Sequence, residues 1–206
     1  AYEIKECDWS SDVCSSDLTV QTVSLTGISA GPANETGQTL SVTATSSDTT
    51  IIPTPTVSYT SANATGSLAF TPVANANGSV TISVVLSDNG GTANGGKDRS
   101  TNTFLVVVQP KNDAPTLGAL TSQTVLEDAS AQTITLTGIS AGPANESAQS
   151  LTVTATSSDT GIVSTPVVTY SQGVSTGSLS FTPVANANGT VTISVKVQDD
   201  SGTANG

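Results

Sequence analysis

The stretch GISAGPANE stands at residues 27–35 and returns, letter for letter, at residues 138–146. The same spacing carries FTPVANANG from 70–78 to 181–189, and SVTATSSDT at 41–49 returns as TVTATSSDT at 152–160. Residues 19–95 align on 130–206 without a gap, with roughly two-thirds of positions identical. A period of 111 residues is longer than a solenoid repeat, which runs about 20–50 residues, and matches one self-contained sandwich domain. The chain therefore reads as two tandem domains.

Within each copy the apolar residues alternate with period two, the signature of half-buried strands. Val191, Ile193, Val195 and Val197 fall on one face, as do Val80, Ile82, Val84 and Leu86 in the first copy. Ile134 and Leu136, Leu151, Val153 and Ala155, Val168 and Tyr170, and Leu179 and Phe181 mark further strands. The first copy adds TFLVVVQ, with Phe104, Val106 and Val108 facing inward. Turn clusters separate them: AGPANE, SSDT, ANANG and DNGGTANGG. With a first strand near Leu117–Val125, the pattern predicts about seven short strands per unit, an immunoglobulin-like β-sandwich. The expected fold class is all-β, in tandem domains with both terminal units incomplete. Thr and Val abound, favouring strands, and no segment carries a helical period.

The composition excludes several functions. Histidine is absent and the net charge is −11, with one base and five acids in residues 1–18. So few Lys and Arg cannot neutralise a phosphate backbone, so nucleic acid is not an expected partner. No apolar run is long enough to span a bilayer, so no membrane insertion is expected of this stretch.

The repeat also tests the opening segment. Residues 1–18 should echo NDAPTLGALTSQTVLEDA at 112–129, yet share only Ser11 with Ser122 and Asp17 with Asp128. They hold both cysteines, Cys7 and Cys14, and the single tryptophan, Trp9. Such a pair in an extracellular chain would otherwise read as a disulfide hairpin. DWSSDVCSSDL instead resembles the translation of a short-read sequencing-library adapter, and AYEI resembles an upstream piece of it. Residues 1–18 are accordingly expected to be non-native, standing where a first strand belongs, and no function is expected of Cys7, Cys14 or Trp9. At the other end Gly206 aligns with Gly95, after which the first copy continues through TFLVVVQP. The expected division is 1–18 adapter-derived, 19–111 a first sandwich lacking its first strand, and 112–206 a second lacking its last.

NDAPTL, TVLEDAS, SLTVTATSSD, FTPVANANGT and VTISVKVQDD together resemble the tandem cadherin-like and immunoglobulin-like repeats of large bacterial surface proteins. The resemblance spans essentially all of 19–206, with KNDAPT at 111–116 as the junction between units. It implies an extracellular or cell-surface location, neighbouring repeats of the same chain as partners, and a spacing or adhesive role without enzymatic activity. Two alternatives stay open: an accessory module of an extracellular enzyme, and a module binding cell-surface glycan or protein.

Candidate sites are few. Without His or a nucleophile motif, only paired carboxylates could act as acid and base. Asp199–Asp200 and Glu127–Asp128 are adjacent pairs, and neighbours on a strand point to opposite faces. No catalytic site is expected. Calcium takes six to eight oxygen ligands from carboxylates, amide side chains and carbonyls. The cadherin-like resemblance implies such ligands where units meet: Asn112 and Asp113 from the junction, Asp48 from the first unit, and Glu146, Asp199 and Asp200 from the second. Against this, the junction has a single acid beside Lys111. ANANG reads as a tight turn, because Asn tolerates left-handed backbone. Tyr59 and Tyr170 read as caps on the core, with an exposed sugar platform as the alternative.

Overall fold

Strands form where the alternation is strict. The computed structural model describes residues 19–93 and 96–201. The opening segment with Cys7, Trp9 and Cys14 lies outside the described residues. The chain divides into two units, Ala1–Lys111 and Asn112–Gly206.

In the first unit six strands are described: β1 (Gln21–Thr26), β2 (Leu40–Ser46), β3 (Thr56–Ser58), β4 (Thr65–Phe70), β5 (Gly78–Asp88) and β6 (Arg99–Val108). They form two antiparallel three-stranded sheets, ordered β1-β4-β3 and β2-β5-β6. The chain changes sheet between β1 and β2, between β2 and β3, and between β4 and β5. The inner faces meet in one core: Val23, Leu25, Leu68 and Phe70 from one sheet against Ala44, Val80, Ile82, Val84, Val106 and Val108 from the other. Ile52, from the loop after β2, is fully buried among them. Each fully buried Val, Leu or Ile contributes about 1.5–3 kcal/mol relative to exposure, so the alternation itself drives the two sheets together.

The second unit repeats the plan with five strands: β7 (Gln132–Leu136), β8 (Leu151–Ser157), β9 (Val167–Tyr170), β10 (Gly177–Phe181) and β11 (Ile193–Asp199). One sheet, β7-β10-β9, matches its counterpart strand for strand. The other holds β8 and β11 alone among the described residues. Its core contains Leu136, Ile139, Ala141, Leu151 and Leu179, with Ile134, Val153, Ala155, Val168, Tyr170, Ile193, Val195 and Val197 packed around them. Most of the inward residues read from the sequence face the core, Leu86 and Val191 being exceptions that join neither core cluster, and the fold is an all-β, immunoglobulin-like sandwich.

One element differs from the sequence reading. Residues 117–125 form no strand. Leu117 packs against the core, but Leu120, Val125 and Leu126 are exposed. Their spacing departs from period two, so an extended chain here cannot turn them to one face. Among the described residues, no helix is long and apolar enough to cross a membrane.

Candidate functional site

Of the residues proposed for the junction, Asn112, Asp113, Glu146 and Asp199 meet inside the second unit, where residues 112–118 lie across the loop between β7 and β8, whereas Asp48 does not join them. Thr116 and Ser140 exchange backbone hydrogen bonds at 2.8 and 3.3 Å, and the Gly118 N–H donates to the Thr137 carbonyl at 2.7 Å. The Thr116 hydroxyl donates to the Gly138 carbonyl at 2.9 Å. A Cβ on Gly118 would stand 2.9 Å from the Thr137 carbonyl oxygen, so this crossing requires glycine. Leu117 then reaches the core.

At the head of this segment the acids gather. Glu146 ends a single 3-10 turn, Ala144–Glu146, in the duplicated AGPANE stretch. Its Oε1 accepts the Asp113 backbone N–H at 2.7 Å. Asn112 Nδ2 donates to Asp199 Oδ1 at 3.4 Å, and Asn112 Oδ1 accepts from Gln149 Nε2 at 2.8 Å. Glu146 is only 4% exposed and Asp199 8%. Two oxygens in the cluster, Glu146 Oε2 and Gln149 Oε1, are buried without a hydrogen-bond partner. The backbone of Gly142, at φ +138°, passes so close to Glu146 Oε2 that a side chain there would collide with it. Gln149 was not singled out from the sequence, although its counterpart Gln38 in the first unit follows the same turn.

The remaining candidates are placed as follows. Asp200 Oδ1 accepts the Ser150 N–H at 3.0 Å, and so ties the end of β11 to the start of β8. Asp48 belongs to the first unit and closes its own loop: its Oδ1 accepts the Thr50 hydroxyl at 2.6 Å and the Thr50 N–H at 2.9 Å. The Thr50 hydroxyl and then its amide hold the Asp48 carboxyl below its ordinary value of 3.8. Among the described residues, no group of three or more His, Cys, Asp or Glu is arranged to hold a metal ion.

At the other end of β11 the ANANG loop is a turn with Asn186 in the left-handed region at φ 58°, as Asn75 is at φ 60° in the first unit. Glu127–Asp128, read from the sequence as an adjacent acidic pair, contacts that turn. Asp128 Oδ1 accepts the Asn186 N–H at 3.1 Å and Glu127 Oε2 accepts from Asn188 Nδ2 at 3.4 Å. Tyr170 packs against the core of its unit, and the Tyr59 hydroxyl donates to the Asn63 carbonyl at 3.1 Å.

The arrangement contains carboxylates bound to backbone amides and side-chain amides. Such groups order loops. No curated protein matches the chain. Two solved structures align with it at 20% identity: surface layer protein SbsC, domains 1-6, at a TM-score of 0.34, and the S-layer protein rSbsC at 0.33. Each alignment covers 76% of this chain and 18% of the other. Residues 112–206, the whole of the second unit, match the model of the bacterial Ig domain family.

Proposed function

We propose that this chain is a stretch of tandem Ig-like units from a bacterial extracellular or cell-surface protein, serving as a non-catalytic spacer or adhesive module. The observation that carries this reading is the duplicated sandwich itself, one copy of which matches the bacterial Ig domain along its length. The partners on this reading are neighbouring repeats, with cell-surface glycan or protein as the adhesive target. A glycan array probed with the labelled chain separates the roles: a passive spacer gives no saturable signal, whereas a saturable hit establishes a glycan-binding module instead. The complete reading frame separates a surface array, with further units of the same length, from an accessory module joined to a catalytic domain.

Calcium is a second reading, favoured by one specific observation. Glu146 Oε2 is a buried carboxylate oxygen without a partner, in a cluster that already contains Asn112 and Asp199. The donor set, carboxylate and amide oxygens with backbone carbonyls, is of the type calcium takes. Asn112, Glu146 and Asp199 would hold the ion, with Asp113 and Asp200 next to them in sequence. Isothermal titration of the chain with calcium tests this. Saturable heat that Glu146→Gln abolishes supports the site, and no heat with no change in melting temperature removes it.

A further inference from the structure

Residues 89–98, NGGTANGGKD, join β5 to β6 in the first unit. Residues 89–93, 96 and 97 are exposed, and no described residue of the loop enters the core of the unit. The Asp88 N–H donates to the Asp98 carbonyl at 3.0 Å and closes the base of the loop. Lys97 therefore stands on a glycine-rich stretch that can leave its place without uncovering a core residue. The other bases after residue 18 are held differently. Arg99 begins β6 opposite Ser87, and Lys196 stands within β11 opposite Thr154. Lys111 precedes Asn112 and Asp113, which are tied to the second unit by Gln149 Nε2 at 2.8 Å and Glu146 Oε1 at 2.7 Å.

We propose that the Lys97–Asp98 bond is a processing site for a lysine-directed endopeptidase, and that the cut leaves the first unit folded in two pieces. Water adds across the peptide bond, leaving a carboxylate on Lys97 and an amine on Asp98. A protease takes its substrate as an extended segment, so the bond cut first is the one whose local opening costs least. At Lys97 opening costs the hydrogen bonds of the loop itself. At Lys196 it costs a ladder, and at Lys111 it costs the contacts of Asn112 and Asp113. What holds the pieces together afterwards is β6. It stays paired with β5 from Arg99 opposite Ser87 to Val108 opposite Gly78, and Val106 and Val108 stay buried at 1% and 7% exposure. Residues 98–206 are then joined to the first unit by that ladder and its packing alone. The cut turns a covalent link into a strand that can be withdrawn, and β6 becomes a release joint for the residues that follow it.

The test is limited digestion of the whole folded chain with an endopeptidase that cleaves after lysine, followed by intact mass. Within residues 19–206 the first new terminus should be Asp98, appearing at least about tenfold faster than Asn112 or Val197. The nicked chain should elute as one folded species in size exclusion and separate into two pieces in urea. Its unfolding midpoint should rise with protein concentration, as that of the uncut chain does not, because refolding has become an association. Lys97→Gln should remove the cut and leave melting of the uncut chain unchanged. A first cut after Lys111 or Lys196, or one that persists in Lys97→Gln, would overturn the site. Pieces that separate at once without urea, or a midpoint independent of concentration, would overturn the release joint.

Discussion

Replacing Ile82 and Ile193 by alanine, one at a time, weighs the same residue in the same local sequence under two different covers. Both sit in VTISV, so intrinsic strand propensity cancels between them. Ile82 is fully buried, opposite Ser46 on one side and Phe104 on the other. Ile193 is half-buried and, among the described residues, stands opposite Ser157 alone. Truncating a fully buried Ile to Ala costs about 2–5 kcal/mol, as transfer free energy plus a term for the cavity left behind. Ile82→Ala should fall near the middle of that range, about 3–4 kcal/mol. At Ile193 the transfer part is roughly halved and the open side leaves little enclosed cavity, so the loss should be about 1–2 kcal/mol. Urea unfolding with hydrogen exchange read by mass spectrometry assigns each transition to its unit, through segments from β4–β5 and from β10–β11. An equal or larger loss at Ile193 would refute the argument, because it would mean that β6 contributes nothing to the burial of its neighbour.

Three further outcomes follow from the loops. The Asp48 carboxyl, held low by Thr50, should titrate below 3.8 in a carbon-detected NMR titration and move back up in Thr50→Val. A depressed folded value means that the contact stabilises the first unit above the unfolded carboxyl's range and is lost as pH falls through the folded value. Thr50→Val should therefore flatten the acid limb of that unit's stability curve. Gly142→Ala places a side chain against Glu146 Oε2 at φ +138° and should destabilise the second unit by about 1–3 kcal/mol, with faster exchange of the Asp113 amide. Leu126→Lys should leave melting unchanged, since Leu126 is 82% exposed; a drop in midpoint would show a packing role.

The strands were legible because their signal is local: inward residues at every second position, and turn-forming clusters between them. Leu136 and Leu179, fully buried or nearly so, could be identified from the alternation alone. The segment after Leu117 was not legible. Its apolar residues suggested a strand, but what the segment does is set by one backbone crossing, Gly118 on Thr137. The acids at the junction were visible as residue types. Their arrangement was not, because Asn112 and Asp199 are far apart in sequence and meet only once the sandwich has closed. Glu127 and Asp128 show the same limit. They were recognisable as an adjacent acidic pair, but their partner, the ANANG turn, is the counterpart of a loop that in the first unit reads simply as a turn.

The length of a strand is in this chain a property of its neighbours. VTISV is written identically in both units, yet Val80 and Thr81 lie within β5, whereas β11 starts only at Ile193. The register explains the difference residue by residue. β2 and β8 reach only to Ile82 and Ile193, and in the first unit the four residues before Ile82 are held by β6. Propensity is equal in the two copies and cannot account for the difference. A ladder partner can, because each added cross-strand pair supplies hydrogen bonds and side-chain contact that an isolated extended segment lacks. It follows that β6 does two things for its unit: it covers Val80 and Ile82, and it extends the strand on which they stand.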